Sequence, residues 1–140
     1  MQPDILINNA GYVVPRSIRN AILSETKKHI DINLCGAFFC TEVALKYNSS
    51  LQIINIGSAA ATEVHATWSE YCATKAAVVM ATKCWAEDGL YAIVISPGRT
   101  KTKMRKNLFP EEDQTTLLEP EDFAQVVMKT VRREYESGPH

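Results

Sequence analysis

The sequence lacks the features that would place it in a membrane or on a nucleic acid. No apolar run approaches the roughly 18 residues of a membrane-spanning helix. The first residues also lack the basic and apolar segments of a secretory leader. The formal net charge is −1, so no overall field attracts a polyanion. We therefore expect a cytoplasmic protein that has no membrane or nucleic-acid partner.

Cysteine and histidine are too scattered to indicate a metal site. No Cys-x-x-Cys pair occurs, and the histidines do not have ligand spacing. Disulfides stay open in principle, but the segments around the cysteines are apolar and helical. Buried, reduced thiols and no metal are the expectation. The residues concerned are Cys35, Cys40, Cys72, Cys84, His29, His65 and His140.

Short apolar segments alternate with helical ones along the 140 residues, which suggests a single domain. This alternation predicts a parallel sheet with right-handed crossovers, whose strand carboxyl ends meet at one edge. The predicted strands are 4–8, 51–58 and 91–98, and the predicted helices are 24–47, 71–88 and 119–136, with an irregular loop or lid at 99–118.

The first helical segment carries an apolar stripe at steps of three and four residues. Ser24 is the expected N-cap, with Glu25 in the first turn. The residues of the stripe are Ile30, Leu34, Ala37, Phe38, Thr41 and Leu45.

The segment YCATK, residues 71–75, places Tyr71 four residues before Lys75. On a helix these positions share one face. A neighbouring ammonium favours the phenolate and lowers the pKa of a tyrosine, which makes it a candidate proton donor and acceptor. The same pair also occurs as a half-buried tyrosine beside a solvated lysine. The surrounding residues must decide between these two interpretations.

Several motifs in order along the chain together resemble the short-chain dehydrogenase/reductase family, and the resemblance extends from residue 4 to about 136. The motifs are NNAG at 8–11, Asn33, Ser58, Tyr71 with Lys75, and Pro97-Gly98 followed by Thr102. The resemblance implies a Rossmann-like, doubly wound parallel sheet in three α/β/α layers. It also implies an oxidoreductase that moves a hydride between NAD or NADP and a carbonyl or alcohol.

The resemblance implies a role for each matching catalytic position. Tyr71 would exchange a proton with the substrate oxygen, and Ser58 would hydrogen-bond that oxygen. Lys75 would hold the nicotinamide ribose and lower the pKa of Tyr71. Asn33 would hold a water that links Lys75 to solvent. Taken alone, Asn33 would mark a helix irregularity and Ser58 a cap after a strand.

The cofactor-binding residues implied by the resemblance follow the first and third strands. Small residues there would allow the backbone to approach the ribose and the nicotinamide carboxamide. In the absence of the other motifs, both segments would be plain turns. The residues are Asn9, Ala10, Gly11, Pro97, Gly98, Thr100 and Thr102, together with Tyr71 and Lys75.

Glycine is scarce where the family is rich in it. The six glycines lie at 11, 36, 57, 89, 98 and 138, and no two are closer than nine residues. The family's Gly-x-x-x-Gly-x-Gly turn, which holds the pyrophosphate at a helix N-terminus, has no counterpart. The family's final strand would only begin at SGPH. We therefore expect residues 1–140 to form a truncated, partial domain, with an unpaired edge at strand 4–8 that favours self-association or low stability.

The partners remain less defined than the chemistry. The two long helices match the pair through which relatives form homodimers or homotetramers, and Phe39 and Val79 are compatible with such an interface. The basic segment RTKTKMRK at 99–106 either grips an anionic substrate or is a solvated lid. Trp68 either forms a wall of the substrate pocket or covers the core.

Two functions remain in competition. The leading one is the catalytic part of an NAD(P)-dependent oxidoreductase, although whether the chain is active by itself stays open. The alternative is a non-catalytic remnant that serves as an interaction or dimerisation module. The missing glycine turn favours the remnant, whereas the complete set of catalytic residue types favours the enzyme.

Overall fold

A computed structural model describes residues 2–139 and confirms the α/β class. Four strands alternate with helices along the chain. The strands are β1 (Ile5–Asn8), β2 (Gln52–Ile56), β3 (Tyr91–Ile95) and β4 (Gly138–Pro139); the helices are α1 (Leu23–Ile30), α2 (Gly36–Tyr47), α3 (Ser69–Glu87), α4 (Lys103–Leu108) and α5 (Pro120–Val131).

All four strands are parallel, and they lie in the order β1-β2-β3-β4. Ile54 at the centre of β2 is level with Ile7 of β1 and with Ile93 of β3. β4 consists of two residues that pair with Ile93 and Val94, where the sequence predicted that a last strand would only begin. β1 forms one edge of the described sheet, as expected, and Ile5 and Ile7 on it are 36% and 45% exposed.

The core lies on both faces of the sheet, because successive strand residues point in opposite directions. One face packs against α2 and α3, and the other packs against α5. The first cluster contains Ala44, Leu51, Ile53 and Ala92, with Trp85 against it; the second contains Ile54, Ile56, Ile93 and Ile95, with Phe123 and Val127 against it. The three-layer α/β/α arrangement is therefore confirmed.

The first long helix runs where it was predicted, and its predicted stripe is buried or half-buried at every position except Ile30. Residues Asp31–Cys35 form a π-helical segment between α1 and α2, and the extra residue in that turn rotates the helix faces. Ile30 is consequently 41% exposed, whereas His29 and Asn33 are buried. The N-cap is Ile22 and makes no side-chain hydrogen bond, so the assignment of Ser24 was wrong.

Buried polar side chains tie the strands to the helices behind them. The Asn8 amide donates to the Asn55 side-chain oxygen at 2.8 Å and to the Thr41 hydroxyl at 3.3 Å. The Asn55 amide in turn donates to the Thr82 hydroxyl at 2.8 Å. This chain of bonds links β1 and β2 to α2 and α3. It fixes the carboxyl ends of the strands relative to α3.

The cysteines are free thiols, as expected, but their expected burial was wrong. Cys40 and Cys84 are exposed, and Cys35 and Cys72 are half-buried. Apolar neighbours in the sequence did not imply burial, because the outer helix faces are themselves apolar, with Phe39 63% exposed and Met80 59% exposed.

No cluster of residues with the composition of a metal site occurs between residues 2 and 139; His140 lies outside the described residues. Within the same range, no helix combines the length and the apolar character needed to span a membrane.

The segment 99–118 is more ordered than the predicted loop. Thr102 caps α4, because its hydroxyl accepts a hydrogen bond from the Arg105 backbone N–H at 3.1 Å. A bridge between Thr100 and Leu118 closes the base of the segment. We call residues 99–118 the lid.

Candidate active site

A cleft of about 460 Å³ opens at the carboxyl ends of β1, β2 and β3. Ten of the eleven site residues predicted from the sequence line it, namely Asn9, Ala10, Gly11, Ser58, Tyr71, Lys75, Pro97, Gly98, Thr100 and Thr102. The sequence therefore identified one continuous surface. Asn33 is the exception, since it lies behind this surface.

The Tyr71–Lys75 pair lies on the face of α3 that borders the cleft. Lys75 is only 5% exposed, and its ammonium donates to the Ile56 carbonyl oxygen at 2.7 Å. The same ammonium lies 5.8 Å from the centroid of the Tyr71 ring. Burial lowers the pKa of Lys75 to about 8. The two side chains thus interact through the ring face, with the cation held beneath it.

Ser58 lies beside the Tyr71 phenol at the end of β2. Its hydroxyl accepts from the Ala60 backbone N–H at 3.2 Å and caps the short helical turn Ala59–Ala61. Burial raises the pKa of Tyr71, and a hydrogen bond with Ser58 lowers it by a smaller amount. The pKa of Tyr71 is therefore raised overall, whereas Lys75 was expected to lower it. The reason is that the effect of burial is larger than that of the hydrogen bond with Ser58. The phenol therefore stays protonated at neutral pH.

Asn33 supports the site from the π-helical segment. Its side-chain oxygen accepts from the Tyr12 backbone N–H at 2.7 Å, and its amide donates to the Tyr12 carbonyl at 2.8 Å. The amide also donates to the Thr74 hydroxyl at 3.1 Å. Asn33 thus fixes the loop after β1 against the helix that carries Tyr71 and Lys75.

Gly57 also lines the cleft and was not singled out from the sequence. A Cβ atom at this position would lie 2.5 Å from the Ser96 hydroxyl oxygen and 3.0 Å from a Val94 methyl group. A side chain here would force the Ser96 hydroxyl to turn away and would press on Val94, so glycine suits the point where β2 and β3 end side by side. The available signal was the motif IGS, in which glycine separates a buried strand from Ser58.

Aromatic side chains form the wall next to Tyr71. The Trp68 ring meets the Tyr71 ring edge to face, with centroids 5.6 Å apart. On its other side Trp68 stacks on Phe109 of the lid at 6.0 Å, with an angle of 20° between the rings. Trp68 thus lines the cleft and is only half-buried, so it does not belong to the core; its contact with a substrate stays a prediction. Thr67 precedes it with a φ of 68°, a conformation that costs a β-branched residue about 1–3 kcal/mol.

Further apolar side chains that the sequence analysis missed line the cleft, most of them from the lid. Met104, Leu108 and Phe109 come from α4 and its end, and Phe123 comes from α5. Met104 and Phe109 remain 40% and 38% exposed. The signal for these residues was the recurrence of apolar side chains at 104, 108 and 109 within a charged segment.

The basic residues of the lid are largely engaged by acids. Arg105 is the only one of the five that lines the cleft. Its guanidinium donates to both oxygens of Glu112, each at 2.6 Å, and this contact lowers the pKa of Glu112. Arg99 lies 3.5 Å from Glu112, and Lys101 lies 2.6 Å from Glu119.

The cleft fits the nicotinamide-ribose end of a dinucleotide. An ammonium has three N–H donors, and the Ile56 carbonyl accepts from Lys75, which leaves donors for a pair of ribose hydroxyls. The space beside Gly11 is open to a ligand, since a Cβ there would meet nothing nearer than 3.9 Å, whereas a Cβ on Gly98 would lie 3.2 Å from a Leu118 methyl group. The pyrophosphate has no comparable match, because the described residues contain no glycine-rich turn at a helix N-terminus.

Comparison with known proteins agrees with this geometry. The family model for short chain dehydrogenases matches residues 2–113. An uncharacterized oxidoreductase of Staphylococcus aureus (strain MRSA252) is 34% identical over 89% of this chain and 56% of its own length. The 2,3-dihydro-2,3-dihydroxybenzoate dehydrogenase of Bacillus subtilis (strain 168) is 33% identical over 79% of this chain and 45% of its own length. The chain thus spans about half the length of these curated relatives.

Solved structures of the same type superpose on nearly the whole chain. A short chain dehydrogenase/reductase family protein matches with a TM-score of 0.89 and 28% identity, over 99% of this chain and 64% of that one. A 4-hydroxyisoleucine dehydrogenase complexed with NADH matches with a TM-score of 0.82 and 25% identity, over 99% and 66%.

Proposed function

Because the chain belongs to the short-chain dehydrogenase family, we propose that it forms the catalytic part of an NAD(P)-dependent oxidoreductase that interconverts a carbonyl and an alcohol. One observation carries this proposal. The Tyr71 phenol, the Ser58 hydroxyl and the Lys75 ammonium lie together on one side of the cleft at the strand ends.

Tyr71 is the proposed proton donor for reduction. Its pKa is raised by burial, so the phenol is protonated at neutral pH. It can donate to a carbonyl oxygen as negative charge develops on that atom. In the reverse direction the phenolate must form first. A neighbouring cation then becomes important, and Lys75 beneath the ring supplies one.

Ser58 is proposed to bind the same substrate oxygen. Its side chain is fixed by the Ala60 N–H, so the hydroxyl is oriented before the substrate arrives. A preorganised donor stabilises charge that develops in the transition state. The Ser58 hydroxyl is close enough to the Tyr71 phenol to lower its pKa, so both donors can converge on one oxygen atom.

Lys75 is proposed to hold the ribose of the cofactor, NAD or NADP. When bound, the nicotinamide supplies or accepts the hydride. The anchor to the Ile56 carbonyl fixes the ammonium at the base of the cleft. The implied cofactor contacts of Asn9, Ala10, Gly11, Pro97, Gly98, Thr100 and Thr102 belong to the same proposal, because all of them line this cleft.

Asn33 is proposed to serve the proton relay indirectly. Its side-chain hydrogen bonds to Tyr12 and Thr74 leave little capacity for a water on the amide. The π-helical turn around it alters the backbone bonding, and such turns often occur at functional sites. We therefore assign the relay to the backbone of this segment, with the side chain as its support.

Relatives act on small molecules, and we propose the same for this protein. An anionic substrate, which the basic lid segment favoured, is not our first choice because Arg105 is already paired with Glu112. We also propose a homodimer or a pair of dimers, since Phe39, Val43 and Met80 expose apolar surface on α2 and α3. Sedimentation analysis should show a dimer or a tetramer, and Phe39→Glu should shift it toward monomer.

The test uses a chimera in which a strand-turn-helix unit that carries the family's Gly-x-x-x-Gly-x-Gly turn precedes residue 2. Tyr71→Phe should lower carbonyl reduction by about 100- to 10,000-fold, the usual contribution of general acid catalysis. Tyr47→Phe is the control, since Tyr47 is 62% exposed on α2, and it should leave turnover unchanged. Equal turnover of the two variants would contradict the proposal.

A further inference from the structure

The charges and the apolar side chains around the reacting end of the cleft point to a particular class of substrate. We propose that the site selects an uncharged, apolar carbonyl or alcohol compound, and that Arg105 braces the lid instead of binding a substrate anion. This inference rests on the proposed function, because it takes Tyr71 as the group that marks the reacting end.

Arg105 is committed to the lid by several contacts at once. Its guanidinium makes two parallel bonds to Glu112, and bidentate pairs of this kind are among the strongest side-chain interactions. The guanidinium carbon also lies 4.9 Å from the centroid of the Phe109 ring. These bonds use the Nε–H and one Nη2–H, so a substrate carboxylate would have only the remaining N–H donors of a guanidinium whose charge Glu112 already neutralises.

Glu112 itself makes an incoming anion unfavourable. The bond from Arg105 lowers its pKa, so the carboxylate is ionised at neutral pH. Its side chain is 16% exposed and that of Arg105 is 23% exposed, so water screens this pair only partly. An anion beside Arg105 would therefore meet a carboxylate as well as a guanidinium.

The other basic residues of the lid do not change this conclusion. Arg99 and Lys101 are 62% and 42% exposed, and each faces a glutamate. Lys103 and Lys106 are exposed residues of α4, and neither lines the cleft. The remaining cation that lines the cleft is Lys75, which the Ile56 carbonyl holds beneath Tyr71.

The wall next to Tyr71 offers apolar surface in place of charge. Trp68 and Phe109 continue from the Tyr71 ring, and Met104 and Leu108 extend the wall along α4. Phe109 and Met104 keep 38% and 40% of their surface open to solvent. An apolar ligand would cover this surface, and the burial of apolar area would favour its binding.

The test compares two ligands that share one skeleton, methyl benzoylformate and the benzoylformate anion. Trp68 is the reporter in a Trp85→Phe background, because the protein has two tryptophans and Trp85 packs in the core, away from the cleft. Titration should quench Trp68 fluorescence, and the ester should bind about tenfold more tightly than the anion.

The Glu112→Gln variant tests whether the bond to Glu112 keeps Arg105 from binding a substrate anion. Removal of that carboxylate frees the Arg105 guanidinium, so the affinity for benzoylformate should rise about tenfold while that for the ester changes less than about twofold. Glu119→Gln is the matched control, because it frees Lys101 outside the cleft and should change neither affinity.

Several outcomes would overturn the inference. These are tighter binding of the anion in the background protein, no quenching by either ligand, or an unchanged ratio in a folded Glu112→Gln variant. Should that variant lose its helical circular dichroism, the ratio measured in the background protein still decides. The fluorescence titration measures binding and not turnover, so the two claims can fail separately. If the ester binds selectively but the chimera is inactive, only the proposed function is contradicted. An active chimera that prefers benzoylformate would contradict only this inference.

Discussion

The two sides of the cleft are built by different physical means. The floor comprises the ends of β1–β3 and the first turns of α3, and its polar groups bond to backbone or to buried amides. Lys75, for example, bonds the Ile56 carbonyl, and Asn55 is completely buried. The lid is tied by backbone bonds only at its base, between Thr100 and Leu118, and beyond that by ion pairs and partly exposed aromatic side chains such as Phe109.

This difference indicates that the floor and the lid have different functions. The floor holds the proposed catalytic groups in one geometry, because each is fixed by an element of the sheet or of α3. The lid can adjust to a ligand more readily than the floor, since the cations Arg99 and Lys101 and the Phe109 ring are exposed, and such contacts contribute little to the global free energy of unfolding. The proposed chemistry therefore belongs to the floor and the substrate preference to the lid.

The largest expected effect contrasts the two sides directly. Ile54→Ala removes a completely buried side chain under the floor and should lower the free energy of unfolding by about 2–5 kcal/mol. Phe109→Ala in the lid should cost about 1 kcal/mol, mainly through the lost stacking on Trp68. Urea unfolding followed by circular dichroism measures both. Equal losses would show that the lid is part of the cooperative core.

A second prediction concerns the buried cation of the floor. The pKa of Lys75 falls from 10.5 to about 8 on folding, so the unfolded chain binds more protons than the folded one between these values. The free energy of unfolding should therefore rise as the pH increases through this window, by on the order of 3 kcal/mol for such a shift. Below pH 8 Lys75 is charged in the folded chain, and the burial of that charge lowers the free energy of unfolding by the full amount.

Lys75→Met is the matched control for this pH dependence. The variant retains the other titrating groups, including Tyr71, whose raised pKa acts in the opposite sense above its ordinary value of 10.0. Subtracting the profile of the variant from that of the original protein isolates Lys75. A flat difference between pH 8 and 10 would mean that the ammonium is as well solvated in the folded chain as in the unfolded one.

The smallest expected effect tests the junction between floor and lid. Thr67 has a φ of 68° just before Trp68, and glycine adopts that region without steric cost. Thr67→Gly should therefore raise the free energy of unfolding by about 0.5–1 kcal/mol, the strain relieved minus the entropy lost. Thr62→Gly, at a φ of −127°, should lower it instead. Thermal unfolding of both variants checks the sign.

The residues of the floor could be predicted from the sequence, whereas the contacts within the lid could not, and the reason is physical. Short buried strands and the spacing of Tyr71 and Lys75 are local patterns, and the parallel sheet then brings their ends together. The pairing of Arg105 with Glu112 and the stacking of Trp68 on Phe109 depend on how a loop folds back over the sheet.

The same distinction explains the error at the start of the first helix. The predicted stripe is buried or half-buried from Leu34 onward, but the π-helical turn at Asp31–Cys35 shifts the faces of the residues before it. His29 and Asn33 became buried as a result, and Ile30 became exposed. The buried polar partners of Asn33, Tyr12 and Thr74, lie far from it in sequence, so no local pattern indicated them.

Calorimetric titration of NADH and NADPH into the chimera is the most direct test of the central claim, that the floor is the nicotinamide-ribose end of a dinucleotide site. We predict that one of the two cofactors binds, and that Lys75→Met weakens its binding at least about tenfold, because the ribose loses a charged donor. The 140-residue chain alone, which lacks the glycine-rich turn, should bind more weakly than the chimera. A folded chimera that binds neither cofactor, or that binds equally well with Met at position 75, would contradict the account.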